Sequence, residues 1–257
     1  MYGAIIGDIA GSRFEFDNIK KKDFDLFTER DSFTDDSVMT IAVAKALSSS
    51  KEKGYADLED QLLFWMHEIG QNYPYCGFGG RFYYWIMRNE KEPYHSFGNG
   101  SAMRTSHCAW IASSLDEALM LAKRCAAVTH DHEEGIKGAQ AVTACIWLAR
   151  EGKTKDEIRS YVKDRFYALD FTLDEIREDY SFDVTCQGSV PQAIEAFLES
   201  EGFEDCIRNA VSIGGDSDTI AAIAGSIAEA YFGIPEGLIG KARGYLDGYL
   251  SDIIDQI

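Results

Sequence analysis

Apolar side chains along this chain recur at the three- and four-residue spacing of α-helices. Val38, Ile41 and Leu47 belong to a stretch with helical spacing. Residues 138–149 are apolar on most sides, which indicates a buried helix. Residues 219–232 are rich in Ala and Ile and predict a central helix. No segment alternates apolar and polar residues between hairpin turns, so strands are at most a minor element. The pattern predicts an all-α fold.

Short polar sequences mark the points where several of these helices begin. Residues 34–36 precede one apolar helix, and residues 216–219 precede the central helix. Two further starts have the spacing of a capping box, in which a Ser or Thr is followed three residues later by Glu: Ser114 with Glu117, and Thr154 with Glu157.

Two regions lack a helical pattern. Residues 17–33 form a charged connector, and residues 165–186 predict a loop that contains one short helix. The chain shows no internal repeat and no Ser/Gly-rich linker. We therefore predict a single domain over residues 1–257.

The composition is that of a globular and strongly acidic protein. The 257 residues include 46% hydrophobic residues, with 25 Lys and Arg against 43 Asp and Glu, a formal net charge of −18. The hydrophobic content excludes a disordered chain. The negative charge would repel nucleic acids and anionic membranes, so neither is expected as a partner. No uncharged apolar stretch reaches about 18 residues, so no membrane span is predicted.

The cysteines indicate a reducing compartment. None of the six belongs to a CxxC pair, and most lie within apolar helical stretches, where a thiol packs as a small hydrophobic group. The first ten residues contain Asp8 and no basic start, which is unlike a signal peptide. A cytoplasmic protein is expected.

Two acidic segments are candidates for chemistry. Residues 34–36 and 216–219 each place two carboxylates and a Thr hydroxyl at the start of an apolar helix. One interpretation is N-capping, for which a single Asp is sufficient. The other is a site for a divalent cation, because neighbouring carboxylates repel one another and hard oxygen ligands suit Mg²⁺, Mn²⁺ or Ca²⁺. The spacing leaves both open, and the second requires the two segments to converge.

Two other segments carry candidate binding groups. Residues 96–104 form a Gly- and Ser-containing turn that leads into a helix, a pattern that can present N–H groups to a phosphate but is first of all a turn. His130 and His132 have a zinc-like spacing without further His or Cys ligands nearby. A helix cap at Thr129 or Asp131 is the competing interpretation.

Small residues at positions 3, 7 and 11 form one thin face of a predicted N-terminal helix. This spacing favours close packing of another element against that face. Asp8 and Glu15 are charges in this otherwise apolar stretch. Either both are exposed or one points inward, and the sequence leaves the choice open.

In chain order, these motifs resemble the ADP-ribosylglycohydrolase family over nearly the whole chain. The resemblance implies an all-α fold and a centre of two Mg²⁺ or Mn²⁺ ions. The matching segments are Gly7-Asp8 with Gly11 and Glu15, then Phe33-Thr34-Asp35-Asp36-Ser37, Gly98-Asn99-Gly100-Ser101-Ala102-Met103-Arg104, His130 with Gly135 and Gly138-Ala139, and Gly214-Gly215-Asp216-Ser217-Asp218-Thr219.

The resemblance also implies roles for individual residues. Glu15 would lie beside the metals as a ligand or general base, with Asp36 as the other candidate base. Phe97 would stack on adenine. The implied metal ligands are Thr34, Asp35, Asp36, Asp216, Asp218 and Thr219. The implied substrate-binding residues are Ser96, Phe97, Gly98, Asn99, Gly100, Ser101 and His130.

The implied reaction is hydrolysis of the bond between ADP-ribose and a modified amino-acid side chain of the arginine or serine type. The partner would be an ADP-ribosylated protein or a small ADP-ribosyl compound, and a monomer is expected. Two alternatives stay open. One is a catalytically inactive ADP-ribose-binding or structural protein on the same fold, and the other is a hydrolase of another ribosyl or nucleotide compound.

Overall fold

The computed structural model describes residues 1–257 as fifteen α-helices and one 3-10 turn. No β-strand forms, and the only β contact is an isolated antiparallel bridge between Gly98 and Thr185. The all-α prediction is confirmed. The helices are α1 (Tyr2–Ser12), α2 (Asp35–Ser50), α3 (Leu58–Gly70), α4 (Gly80–Met87), α5 (Gly100–Met103), α6 (Ser106–Ile111), α7 (Leu115–Ala127), α8 (Glu133–Arg150), α9 (Lys155–Arg165), α10 (Leu173–Ile176), α11 (Cys186–Leu198), α12 (Phe203–Ser212), α13 (Ser217–Phe232), α14 (Leu238–Arg243) and α15 (Gly248–Ile254), with the 3-10 turn at Lys51–Lys53.

Helix α13 lies at the centre of the fold. Every residue from Ser217 to Ala228 is buried, because α1, α8, α11 and α12 all pack against it. A helix that is apolar on all sides requires such an enclosure. The predicted central helix is therefore confirmed, with its start at Ser217. None of the helices combines the length and apolar character needed to cross a lipid bilayer.

Helix α1 approaches α13 through the small-residue face. A methyl group added at Gly7 would lie 2.0 Å from the carbonyl oxygen of Ala221, and one added at Gly3 would lie 2.2 Å from that of Gly225. The two backbones thus touch, and the predicted close packing is confirmed. This contact brings the end of α1, next to Glu15, beside the start of α13.

The predicted helix starts are only partly correct. Thr154 and Glu157 form the expected capping box. Ser114 caps α7 as predicted. The Glu117 carboxylate, however, accepts from the backbone N–H of Ser113 and not from that of Ser114. The predicted capping box at Ser114 is therefore wrong, because its return hydrogen bond is missing. The short helix expected within residues 165–186 is α10.

Candidate active site

The starts of α2 and α13 meet. The hydroxyl of Thr219 donates a hydrogen bond of 2.9 Å to Asp36 Oδ2, although the two residues are 183 positions apart in the chain. Asp8, Asp36 and Asp218 each place a carboxylate oxygen within 4.8 Å of the other two, and Glu15, Asp216 and Asp218 do the same. The convergence required for a cation site is present.

N-capping does not account for the carboxylates of Asp36 and Asp216. Asp216 is the N-cap residue of α13, but its side chain makes no capping hydrogen bond; instead it accepts one of 2.7 Å from Asn99 Nδ2. The cap of α2 is the hydroxyl of Thr34, which accepts from the N–H of Asp36. These two carboxylates are therefore available for another role.

Asp8 is a site residue that the sequence analysis did not assign. It is fully buried and accepts from the N–H groups of Thr34 (2.9 Å) and Ser37 (3.0 Å) and from the Thr34 hydroxyl (2.7 Å). The interpretation that Asp8 and Glu15 are both exposed is wrong. Asp8 stabilises the N-terminus of α2. The available signal was a charged residue within an otherwise apolar helix.

The carboxylates raise one another's proton affinity. Burial first, and neighbouring carboxylates second, raise the pKa of Glu15 to about 7. Burial also raises the pKa of Asp8 to about 6, even though its hydrogen bonds oppose the shift. The pKa values of Asp35, Asp36 and Asp218 are raised well above their usual range by burial and by the other carboxylates. So much negative charge requires protons or cations.

The donor set fits a divalent cation. Asp36 Oδ1 is buried and has no hydrogen-bond partner, an arrangement that is costly unless a cation meets it. The Thr34 hydroxyl donates its hydrogen to Asp8 and the Thr219 hydroxyl to Asp36. Both oxygens therefore retain lone pairs. Carboxylate and hydroxyl oxygens are the ligands that Mg²⁺ and Mn²⁺ prefer.

A cavity of about 450 Å³ adjoins these groups. All the predicted site residues line it except Thr34, Phe97 and Ser101. Thr34 is buried and bonded to Asp8. The Ser101 hydroxyl is fully buried and donates to the carbonyl oxygen of Gly135 over 2.7 Å, so this side chain holds the turn against α8 and does not face the cavity. Phe97 is 44% exposed and does not line the cavity, so stacking on adenine stays a prediction.

The turn formed by residues 96–101 is held from two directions. Its Asn99 N–H donates to the carbonyl oxygen of Val184 over 2.8 Å, and the Cys186 N–H donates to that of Phe97 over 2.9 Å. The Asn99 side chain connects the same turn to Asp216. The loop and the acidic centre therefore form one connected unit.

The zinc-like histidine pair has a simpler explanation. His132 is the N-cap of α8, and its Nδ1 accepts from the N–H of Glu134 over 3.0 Å. A cap at Thr129 or Asp131 is therefore wrong. His130 is buried and lines the cavity.

Comparison with known proteins decides the family. A model of the ADP-ribosylglycohydrolase family matches residues 1–257. The chain belongs to the ADP-ribosylglycohydrolase family. The resemblance drawn from the motifs is confirmed.

Other members of the family agree with this assignment. Human ADP-ribosylhydrolase ARH3 is 25% identical over 295 residues, which cover 89% of this chain and 78% of that protein. ADP-ribosylarginine hydrolase Tri1 of Pseudomonas putida is 26% identical over 269 residues, covering 91% and 70%. A solved structure titled ADP-ribosylglycohydrolase-related protein complex has a TM-score of 0.63 at 22% identity and covers 98% of this chain and 92% of its own, which shows the shared fold.

Further residues line the cavity of this ADP-ribosylglycohydrolase family member without having been predicted as site residues. They include two cations and three aromatic side chains: Arg81, Arg104, Phe16, Tyr94 and Phe182. Arg104 is the last residue of the 96–104 segment, which the sequence marks as a candidate binding segment. The others lie in segments without a recognisable motif, so only the folded chain identifies them.

Proposed function

We propose that this chain is a divalent-metal-dependent hydrolase that cleaves the glycosidic bond between ADP-ribose and a modified amino-acid side chain of the arginine or serine type. Support comes from family membership together with the convergence of Asp36, Asp216 and Asp218. The observation that carries the proposal is the buried Asp36 Oδ1 without a hydrogen-bond partner in the midst of these carboxylates.

Two ions are the proposed cofactor content, as Mg²⁺ or Mn²⁺. The two acidic groups share Asp218, so a second position would adjoin the first. We assign Asp8 to the support of Thr34, because its oxygens are already occupied by hydrogen bonds. The proposed ligands are Thr34, Asp35, Asp36, Asp216, Asp218 and Thr219.

Glu15 is the proposed general base. It is half-buried, lines the cavity and lies beside Asp216 and Asp218. Asp36 is more deeply buried than Glu15 and accepts from Thr219, which suits a ligand better than a base. The Glu15 carboxylate would take a proton from the attacking water as the glycosidic bond breaks. Bound metal would supply positive charge to orient ribose hydroxyls and water.

The anionic part of the substrate is proposed to lie near the turn formed by residues 96–101. Ser96, Gly98, Asn99 and Gly100 line the cavity there together with His130. A chain with a net charge of −18 repels an anion at long range. Binding therefore requires local donors and cations.

The test compares metal-free and metal-loaded protein on peptides that carry ADP-ribosyl-arginine or ADP-ribosyl-serine. Release of ADP-ribose is expected only with Mg²⁺ or Mn²⁺. Asp218→Asn should lower turnover by roughly 100-fold or more, because the shared ligand is lost. Asp252→Asn, an exposed acid in α15, is the matched control and should match the wild type.

The outcomes separate the candidate functions. ADP-ribose that binds tightly without turnover of either peptide would favour a binding protein. Turnover that persists after metal removal would contradict metal dependence. Turnover of only one peptide would assign the linkage.

A further inference from the structure

Arg104, Thr129 and His130 form a hydrogen-bonded row, and Arg104 and His130 line the cavity. Arg104 is 1% exposed and forms no ion pair with a carboxylate. Its Nη2 donates to Thr129 Oγ1 over 2.8 Å and to the carbonyl oxygen of Cys125 over 3.1 Å. Thr129 Oγ1 in turn lies 2.6 Å from His130 Nδ1. Because a guanidinium only donates, Thr129 is the acceptor in the first of these bonds.

The direction of the second bond follows from the acceptors within reach. The hydroxyl hydrogen of Thr129 has one acceptor at hydrogen-bond distance, which is His130 Nδ1. With that hydrogen donated to Nδ1, the ring nitrogen Nδ1 carries a lone pair and the ring proton resides on Nε2. Arg104 and Thr129 together therefore select one tautomer of His130.

The ring is also neutral and correctly aimed. Burial, and then the charge of Arg104, lower the pKa of His130 well below its ordinary value. Nε2 has no hydrogen-bond partner in the protein and faces the glycines of the turn. A methyl group added at Gly98 or Gly100 would lie 3.4 or 3.5 Å from it. The Nε2–H group is thus available to a ligand in the cavity.

We propose that Arg104 and Thr129 are positioning residues that hold His130 as its neutral Nε2–H form, so that the ring donates one hydrogen bond to a phosphate oxygen of the substrate. The identity of that substrate rests on the proposed function. A phosphate oxygen at neutral pH accepts hydrogen bonds, so the opposite tautomer would set a lone pair against it. The buried Arg104 charge adds attraction for an anion from behind the ring.

The tautomer is tested directly by long-range ¹H–¹⁵N correlation spectra of protein labelled at histidine. His130 is assigned by the signals that disappear in His130→Gln. We expect a single species with the proton on Nε2 from roughly pH 6 to 8. A ring protonated on Nδ1, or on both nitrogens, would overturn the proposal.

The consequence for binding is tested with Thr129→Val, which removes the hydroxyl, and Thr129→Ser, which keeps it. Calorimetry with ADP-ribose should show roughly 10-fold weaker binding for Thr129→Val, because a charge-assisted hydrogen bond is lost. Thr129→Ser should stay within about threefold of the wild type. Adenosine, which has no phosphate, should bind the three proteins alike.

Each result bears on one part of the argument. The positioning role is contradicted if Thr129→Val binds ADP-ribose as tightly as the wild type does. It is also contradicted if the variant's affinity for adenosine falls by the same factor as its affinity for ADP-ribose. Wild-type protein that binds ADP-ribose but hydrolyses no ADP-ribosyl peptide overturns the proposed function alone. Wild-type protein that does not bind ADP-ribose overturns both proposals.

Discussion

At the scale of single residues, Asn99 shows how an amide orients a carboxylate. It is buried, and its Nδ2 donates to Asp216 Oδ2 over 2.7 Å and to Ser189 Oγ over 3.0 Å. Such partners fix the direction of a ligand and are worth about 10- to 100-fold in metal affinity. Asn99→Leu is therefore expected to weaken Mn²⁺ binding by about that factor in a calorimetric titration. Asn72→Leu, at an exposed amide, is the control and should leave it unchanged.

Glu15 allows a general base to be distinguished from a ligand. Glu15→Gln keeps the size of the side chain but cannot accept a proton from water. We expect kcat to fall by about 10²- to 10⁴-fold with Mn²⁺ affinity within a few fold of the wild type. Glu52→Gln, at an exposed site, should change neither quantity. Loss of metal affinity in step with kcat would show that Glu15 is a ligand.

Individual residues were predictable from the sequence where the signal was local. Paired carboxylates ahead of apolar helices drew attention to Asp36 and Asp218. Asp8 was not assigned, because its partners Thr34 and Ser37 lie at the start of another helix. Arg104 belongs to the 96–104 segment noted in the sequence but received no role there, since its role depends on its contact with Thr129 in the folded chain. The sequence shows which charges exist and not which of them are buried together.

At the scale of helices, the contact between α1 and α13 controls the site. Gly7→Ala would place a methyl group 2.0 Å from the Ala221 carbonyl oxygen, so the two backbones must separate. We expect a loss of roughly 1–3 kcal/mol in the free energy of unfolding. Mn²⁺ affinity should fall as well, because Asp8 moves with its helix. Denaturant unfolding and a metal titration measure the two effects.

The matched control is Gly240→Ala within α14. A methyl group there meets no atom within 4 Å. Since Ala is the better helix former, this variant should be unchanged or more stable by up to about 1 kcal/mol. Equal losses in both variants would contradict the steric argument.

Long helices were more predictable than short ones. Helices α8 and α13 have 18 and 16 residues, and the long apolar stretch within each was sufficient to predict them. Helices α14 and α15 have six and seven residues and were not predicted. So short a segment shows too few turns for a periodic signal, and its conformation depends on packing against the rest of the chain.

At the scale of the whole molecule, the buried carboxylates connect stability to pH and to metal. Burial raises the pKa of Asp8 from its ordinary 3.8 to about 6 and that of Glu15 from 4.5 to about 7. At a pH between the ordinary and the raised pKa of each group, the metal-free folded protein holds a proton that the unfolded chain has released. Its stability from these groups therefore falls as the pH rises through about 4 to 7.

Metal should reverse this trend, because cations held by the neighbouring Asp ligands favour the deprotonated form of the whole carboxylate cluster. The difference in Tm between Mn²⁺-saturated and EDTA-treated protein is expected to grow as the pH rises from roughly 5 to 7.5 and then to level off. Thermal unfolding in matched buffers measures it. A difference that is constant across the range would show that the ion does not bind within this carboxylate cluster.

The pairing of α1 with α13 also has a consequence for biosynthesis. The two helices are separated by about two hundred residues, so α1 leaves the ribosome long before its partner. Synthesis proceeds at about 5–20 residues per second, so the glycine face of α1 stays without its partner α13 for on the order of 10–40 s. A nascent chain that stops before Asp216 lacks the second acidic segment, so the candidate site can assemble only after most of the chain has been made.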